Sequence, residues 1–293
     1  MGAVRIVGRY KDSAFIWARS AVAAVVIGVS VAMLILAIRG WTIDDASAYW
    51  QAALRLREGL PLYPAYPDPG SSDVYRYAPW FAYLWVPVTY LPKGWVLSAW
   101  TLVLVAASVA SVAGLARERG LTPRLLAMLF GSMLIWTAAR GNVQPLITLA
   151  VVAGLPRWSG PLWVGLAASL KGVPIAFALV YVARRDWKAA AWSFVIAAVL
   201  ILPMAPLGWT PIDPGPSMSL YYQASPIVWA VVACVALGAA VVLAVRASNY
   251  TPVGAGVMAI LALPRLLVYD LTFLVPSVAK FTSSDRDVPP DSS

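Results

Sequence analysis

Histidine is absent from this 293-residue chain, and cysteine occurs once. Without imidazole, no side chain titrates near neutrality unless its pKa is perturbed, and the commonest metal ligand is missing. The single Cys234 lies inside an apolar run, so there is neither a disulfide framework nor a thiolate metal site. Charge is scarce as well. Charged residues make up 12% of the chain, against about 25% in a soluble domain. Acids are outnumbered by bases, 13 to 22, for a net charge of +9. What fills the chain is hydrophobic residues, 61% of it, with a mean hydropathy of +0.75. A soluble core does not need such an excess, whereas a lipid-facing surface does. The Lys and Arg sit mostly at the ends of apolar runs, where they set topology and meet anionic headgroups. Nucleic-acid binding is therefore not expected, and membrane lipids are the expected surroundings. Any chemistry falls to carboxylates, Lys, Arg and Tyr.

The apolar runs organise the chain. Residues 1–16 are basic, with Arg5, Arg9 and Lys11, and a first span follows from about Phe15 to Ile38. It is too long for a removed signal peptide and lacks a small-residue cleavage site, so it reads as an anchor with its N-terminus inside. Residues 39–77 form an extracytoplasmic loop that holds Asp44, Asp45, Glu58, Asp68 and Asp73. Within it, 44–58 has helical periodicity, with Tyr49, Ala53 and Leu56 on one face, and suits a helix lying in the membrane interface. Gly59 and Pro61 stop that helix, and 62–73 reads as loop. Further spans are expected at about 78–92, 94–116, 124–139, 144–156, 160–183, 187–208, 226–246 and 252–279. The short ones, 124–139 and 144–156, suit half-helices or re-entrant pieces. Counting every run as a crossing leaves Arg117, Arg119 and Arg124 outside, against the positive-inside rule. The expectation is an all-α polytopic membrane protein: one transmembrane domain over 1–280, with about 8–9 transmembrane or half-membrane helices. The tail 281–293 is expected to be disordered.

Several residues are candidates for chemistry, each with a plainer alternative. Asp44 and Asp45 start the interfacial helix and suit helix capping. They also suit a general base, because a partly desolvated interface raises a carboxylate toward a useful pKa. Lys171 lies deep in the run 160–183 beside the helix breakers Gly172 and Pro174. A charge there costs roughly 2.5–3.5 kcal/mol on insertion scales and marks a functional site by default, the alternative being snorkelling. Its natural partner is an anion such as a phosphate. Arg140, Asn142 and Gln144 form either a hairpin turn or a set of donors for a sugar or phosphate. Asp270 is either paired with Arg265 in the membrane or part of a site. Tyr63, Tyr75, Tyr77 and Trp80 suit an aromatic belt as well as sugar stacking. No metal-ligand spacing is evident, so no cofactor is expected, although the acidic outer loop has the oxygens to hold a divalent ion.

The order of these pieces resembles glycosyltransferase family 87. Asp45 is followed by Tyr49, Ala52-Ala53, Gly59 and Leu62-Tyr63; then come Tyr75 or Tyr77 with Pro79, and Leu91-Pro92. Arg140-Gly141-Asn142, Lys171 with Pro174, Arg184-Arg185 and Tyr269-Asp270-Leu271 complete the series. The resemblance implies a GT-C fold and a polyprenyl-phosphate-mannose donor. It further implies an α-mannosyl product made with inversion on a lipid-linked glycan acceptor, at the outer face of the plasma membrane. It maps the catalytic acid onto Asp45, with Asp44 adjacent. It places Lys171, Arg140, Asn142, Gln144, Tyr49, Tyr63, Tyr77, Arg265, Tyr269 and Asp270 around donor phosphate and sugar. Members of that family usually continue with further spans beyond the Tyr-Asp motif, whereas this chain ends shortly after it. The residues fit such chemistry independently. A sugar hydroxyl needs one base, and a lipid phosphate leaving group needs charge stabilisation more than a proton. The competing expectation is a transporter or flippase for a lipid-linked or anionic solute, with Lys171 and Asp270 at a midplane site. A non-catalytic scaffold is a third.

Overall fold

The computed structural model describes residues 2–40, 42–64, 74–209 and 218–278, with side chains from Trp17 onward. Asp68, Asp73 and the expected disordered tail lie outside the described residues. Every regular element among the described residues is helical, and one isolated bridge pairs Met218 with Arg265. The protein is an all-α polytopic membrane protein. Among the described residues, five helical segments are long and apolar enough to cross a membrane: Trp17–Arg39, Lys93–Arg117, Leu121–Ala139, Trp187–Met204 and Pro226–Val245.

The elements are α1 (Gly2–Arg39), α2 (Asp44–Arg57), α3 (Pro79–Trp85), α4 (Lys93–Arg117), α5 (Leu121–Ala139), α6 (Gln144–Gly154) and α7 (Gly160–Lys171). Beyond these come α8 (Ala178–Ala183), α9 (Trp187–Ile201), α10 (Leu220–Ala224), α11 (Pro226–Val245), α12 (Thr251–Leu261) and α13 (Val275–Val278). Three expected spans are not single helices. The run 78–92 is the seven-residue α3 followed by a 3₁₀ turn at Pro87–Tyr90. At 1.5 Å per residue α3 is about 10 Å long, too short to cross. The run 160–183 breaks at Gly172, whose φ of 73° and ψ of −64° lie in the γ-turn region that only glycine adopts cheaply. The run 252–279 ends as a helix at Leu261 and resumes as a 3₁₀ segment at Val268–Leu274. Pro264 and Arg265 occupy the gap, and Pro264 O accepts a 2.8 Å hydrogen bond from Ser219 N.

Packing follows the logic of helices in lipid, where small residues bring backbones together. Helix α11 turns Ala236, Ala240 and Ala244 inward, and exposes Val231, Val235 and Leu237. Helix α12 brings Gly254 against Ala240 and Leu243. Helix α7 packs on α9, and α5 lies between α1 and α4. The aromatic residues instead gather under α2. Tyr49 is fully buried, and its ring meets Tyr77 at 5.1 Å, Phe81 at 5.0 Å and Trp85 at 5.5 Å, all edge-on. Edge-to-face pairs at these separations add to the area they bury.

The helix directions sort the loops into two ends. At one end, Arg184 Nη1 donates to Leu155 O at 3.1 Å and Arg185 Nη2 donates to Val245 O at 3.3 Å. These bonds tie together the loops that follow α6, α8 and α11. At the other end, Asp45 N donates to Arg140 O at 3.1 Å, and Trp100 Nε1 donates to Gly141 O at 2.9 Å. These hold the start of α2, the start of α4 and the end of α5 together. Because 78–92 does not cross, α4 runs back from this second end. Arg117, Arg119 and Arg124 then fall at the first end with Arg157, Arg184, Arg185, Lys188 and Arg246. The poor fit to the positive-inside rule disappears.

Candidate active site

Helix α2 begins without a side-chain cap. Its N-cap residue is Ile43, at φ 52°, and neither Asp44 nor Asp45 caps the helix. The Asp45 carboxylate is turned instead toward the α5–α6 turn, where Asn142 Nδ2 donates to Asp45 Oδ2 at 2.8 Å. Asn142 is itself oriented. Its Oδ1 accepts from Gln144 N at 2.9 Å, which leaves the amide nitrogen facing the carboxylate. The turn can sit this close because of Gly141. Its φ is 74°, and a Cβ there would lie 2.5 Å from the Ala46 Cβ. A backbone bond, a side-chain bond and a glycine contact thus lock the outer loop onto a turn far away in sequence.

Asp45 opens onto a cavity of about 400 Å³, within the size range of small-molecule sites. Its walls come from five parts of the chain: Asp45, Ala48 and Tyr49 of α2; Val74, Arg76 and Tyr77; Trp136, Arg140 and Asn142; Leu170 and Lys171; and the segment 263–270. Lys171 is the last residue of α7, not the middle of a span, and the break at Gly172 ends the helix beside the cavity. Its Nζ lies 3.6 Å from Asp270 Oδ1 and 4.4 Å from the centroid of the Tyr269 ring. Asp270 Oδ2 accepts from Leu267 N at 2.8 Å. Asp270 therefore pairs with Lys171, and not with Arg265 as the sequence suggested. Both carboxylate oxygens of Asp270 are engaged. Arg140 lies over the Trp136 ring at 5.3 Å. Arg140 and Arg265 each carry a buried Nε–H with no acceptor among the described residues.

Burial pushes the Asp45 carboxyl above its ordinary value, while the Asn142 hydrogen bond, Lys171 and Arg140 pull it back. Burial, with Arg265 as a like charge, draws Arg76 below its ordinary value. Burial and Asp45 together raise Tyr77, which remains a neutral phenol.

The structure gathers Asp45, Tyr49, Tyr77, Arg140, Asn142, Lys171, Arg265, Tyr269 and Asp270 around one space. It does not bring Asp44, Tyr63 or Gln144 to the cavity wall. Tyr63 OH donates to Tyr77 O at 2.7 Å, and its ring stacks on Tyr75. Gln144 is fully buried and Nε2 donates to Thr272 Oγ1 at 2.9 Å, so it braces the turn against the 268–274 segment. Arg76 and Trp136 join the site without having been singled out. Arg76 stands between two tyrosines already flagged, and that position in a polar loop was the available signal. Trp136 is one of many tryptophans in apolar helices and carries none. Among the described residues, no three of His, Cys, Asp and Glu come together closely enough to hold a metal ion.

Leu170 also lines a second cavity, of about 420 Å³, whose other walls include Trp80, Phe81, Leu146, Ala150, Trp163 and Leu166. This space is almost wholly apolar. A polar, cation-rich chamber and an apolar one thus meet at a single leucine.

Residues 75–213 match the model of Glycosyltransferase family 87. That stretch is similar to glycosyltransferase family 87. The chain is 32% identical over 132 residues to a polyprenol-phosphate-mannose-dependent alpha-(1-2)-phosphatidylinositol pentamannoside mannosyltransferase of Mycolicibacterium smegmatis, covering 42% of this chain and 32% of that protein. It is 31% identical over 186 residues to the protein of the same name from Mycobacterium tuberculosis, covering 58% and 43%. The matched part of the chain thus spans less than half the length of either relative. No solved structure matches it. The family match contains Arg76, Tyr77, Arg140, Asn142 and Lys171, while Asp45, Arg265 and Asp270 lie outside it.

Proposed function

We propose that this protein is a membrane mannosyltransferase that moves mannose from polyprenyl-phosphate mannose to a hydroxyl of a lipid-linked glycan, with inversion at the anomeric carbon. One observation carries the reading. Asp45, held at 2.8 Å by Asn142, shares one cavity with Arg76, Arg140, Lys171 and Arg265. Asp45 accepts the proton of the acceptor hydroxyl, and its raised pKa makes it a better base than a free carboxylate. Asp270 is not the base, because Lys171 and Leu267 N occupy its oxygens. The cations stabilise the negative charge that develops on the departing phosphate. A single displacement with one base leaves the configuration inverted. The apolar cavity beside Leu170 takes the polyprenyl chain. The charge on the phosphate is met by side chains, so transfer is expected to proceed in the presence of a chelator. The names of the two relatives support both the donor and a mannolipid acceptor.

The site end is assigned to the outside of the plasma membrane. The opposite end carries Arg117, Arg119, Arg124, Arg157, Arg184, Arg185, Lys188 and Arg246, as cytoplasmic loops do. The deciding experiment supplies membranes carrying the protein with radiolabelled polyprenyl-phosphate mannose and a glycolipid extract. A labelled mannolipid is expected with the native chain. With Asp45→Asn the rate should fall by about 10²–10⁴, the usual worth of a positioned base, while Asp44→Asn stays close to native. Full activity in Asp45→Asn would remove the assigned role. Uptake of a lipid-linked solute into liposomes with no transfer would point to the flippase reading instead.

A further inference from the structure

We infer that Trp136 is a positioning residue for the donor phosphate: its ring seats the Arg140 guanidinium, which is thereby fixed in the cavity while its N–H groups stay available to an anion. The inference rests on the function proposed above and concerns how that same site is built. Trp136 and Arg140 stand four residues apart, and Arg140 is the C-cap residue of α5. Side chains at that spacing meet on one face of a helix. The guanidinium carbon lies 5.3 Å from the centroid of the Trp136 ring, inside the reach of a cation–π contact. The main chain of Arg140 is held separately, because its carbonyl oxygen accepts from Asp45 N at 3.1 Å. One residue is thus tied to α2 by its backbone and to an indole by its head group.

The kind of partner decides what a cation can still do. A carboxylate takes up both the charge and the protons of the group it pairs with. A ring face attracts the charge through its quadrupole and leaves the donors unoccupied. The Arg140 Nε–H is accordingly buried with no acceptor among the described residues, and a buried donor in that state is unfavourable until something accepts from it. A planar guanidinium presents paired N–H groups that match the oxygens of a phosphate. The indole is itself held. Its ring lies 6.0 Å from that of Tyr269, tilted by 44°, and Tyr269 in turn carries Lys171 Nζ at 4.4 Å from its centroid. Both rings line the cavity with the two cations they seat.

The test measures binding of radiolabelled farnesyl phosphate to the full chain in detergent, in a double-mutant cycle of Trp136→Leu and Arg140→Gln. Trp136→Leu alone should weaken binding about three- to thirtyfold, the range of a cation–π contact expressed as a ratio of affinities. Made on top of Arg140→Gln, the same change should weaken it by less than about twofold, the usual error of additivity. A merely structural tryptophan would show no such dependence on Arg140. Trp136→Phe keeps a ring face and should stay within about threefold of native. Equal losses in both backgrounds, or a phenylalanine no better than leucine, overturns the inference. If Trp136→Leu does not fold, Trp136→Phe decides, and a loss beyond that threefold overturns it. Where native protein also transfers labelled mannose, such a result leaves the proposed function standing. Binding without transfer removes the proposed function and leaves this inference to the cycle; if folded native protein does neither, both fail. If it transfers mannose without holding the probe, the same cycle is read from the donor kcat/KM.

Discussion

At position 45, burial and hydrogen bonding pull in opposite directions, and that balance suits the base role proposed for the carboxyl. Burial raises its pKa; the Asn142 amide, bonded at 2.8 Å, holds it down. A base works only when ionised, so the rate falls as pH drops through this pKa. Asn142→Ala removes a bond that favours the ionised form. The acid limb of the kcat/KM profile should therefore move to higher pH, with much of the rate recovered above it. A limb that stays in place, or moves down, would separate Asn142 from the base. Lys171 is a matching case. Asp270 holds it beside the Tyr269 ring, and Asp270→Asn should raise the donor KM more than it lowers kcat. At this scale the sequence reading was uneven. Asp45, Lys171 and Asp270 stood out because charge in an apolar setting is expensive. Tyr63 and Gln144 looked equally eligible, since residue type alone does not show which way a side chain turns. Arg76 was passed over because a loop has no period to mark which residue faces inward.

Elements matter here chiefly where they break. Gly141 and Gly172 each place a cavity residue, one before Asn142 and the other after Lys171, and each does so by a different physical route. Gly141 combines a φ of 74° with backbone-to-helix contact, its absent Cβ lying 2.5 Å from that of Ala46. Gly141→Ala must both strain the backbone and push α2 away. A loss of roughly 1–3 kcal/mol is expected from the overpacking alone, read as a lower melting temperature together with lost activity. Gly172 has open space around it, so Gly172→Ala meets only the backbone penalty, of order 1–3 kcal/mol. That strain sits next to Lys171, so the donor KM should rise even where the protein remains folded. Equal melting temperatures and kinetics for native and Gly172→Ala protein would mean the break does not position Lys171. Hydropathy separated the runs on either side of Gly141 but read straight through Gly172, because Val, Ile, Leu and Phe beside a kink score the same as in a straight helix.

For the whole molecule, the consequence is an orientation. Cysteine scanning can check it, because the one native cysteine, Cys234, lies within α11 on a lipid-facing surface. On right-side-out vesicles, a membrane-impermeant maleimide should label Leu60→Cys, at the site end. Ser248→Cys, between α11 and α12, should be labelled only after the vesicles are inverted. The reverse pattern would place the cavity on the cytoplasmic side and remove the extracytoplasmic assignment. Under the proposed function, the arginines beyond the cavity lie on the cytoplasmic side, and those within it meet the donor phosphate.

Hydropathy and charge are local quantities, and the sequence was enough wherever a local quantity decides. It determined that the chain lives in lipid, that its elements are helices, and that a charged lysine within an apolar run is out of place unless used. The number of crossings was not local, since it depended on 78–92 folding as a short helix and a turn instead of a span. Nor was the site. Asp45 and Asn142 stand 97 residues apart, and Lys171 meets Asp270 only after helices α8 to α12 have intervened. Such meetings are set by how small-residue faces pack against one another, and only the tertiary structure decides them.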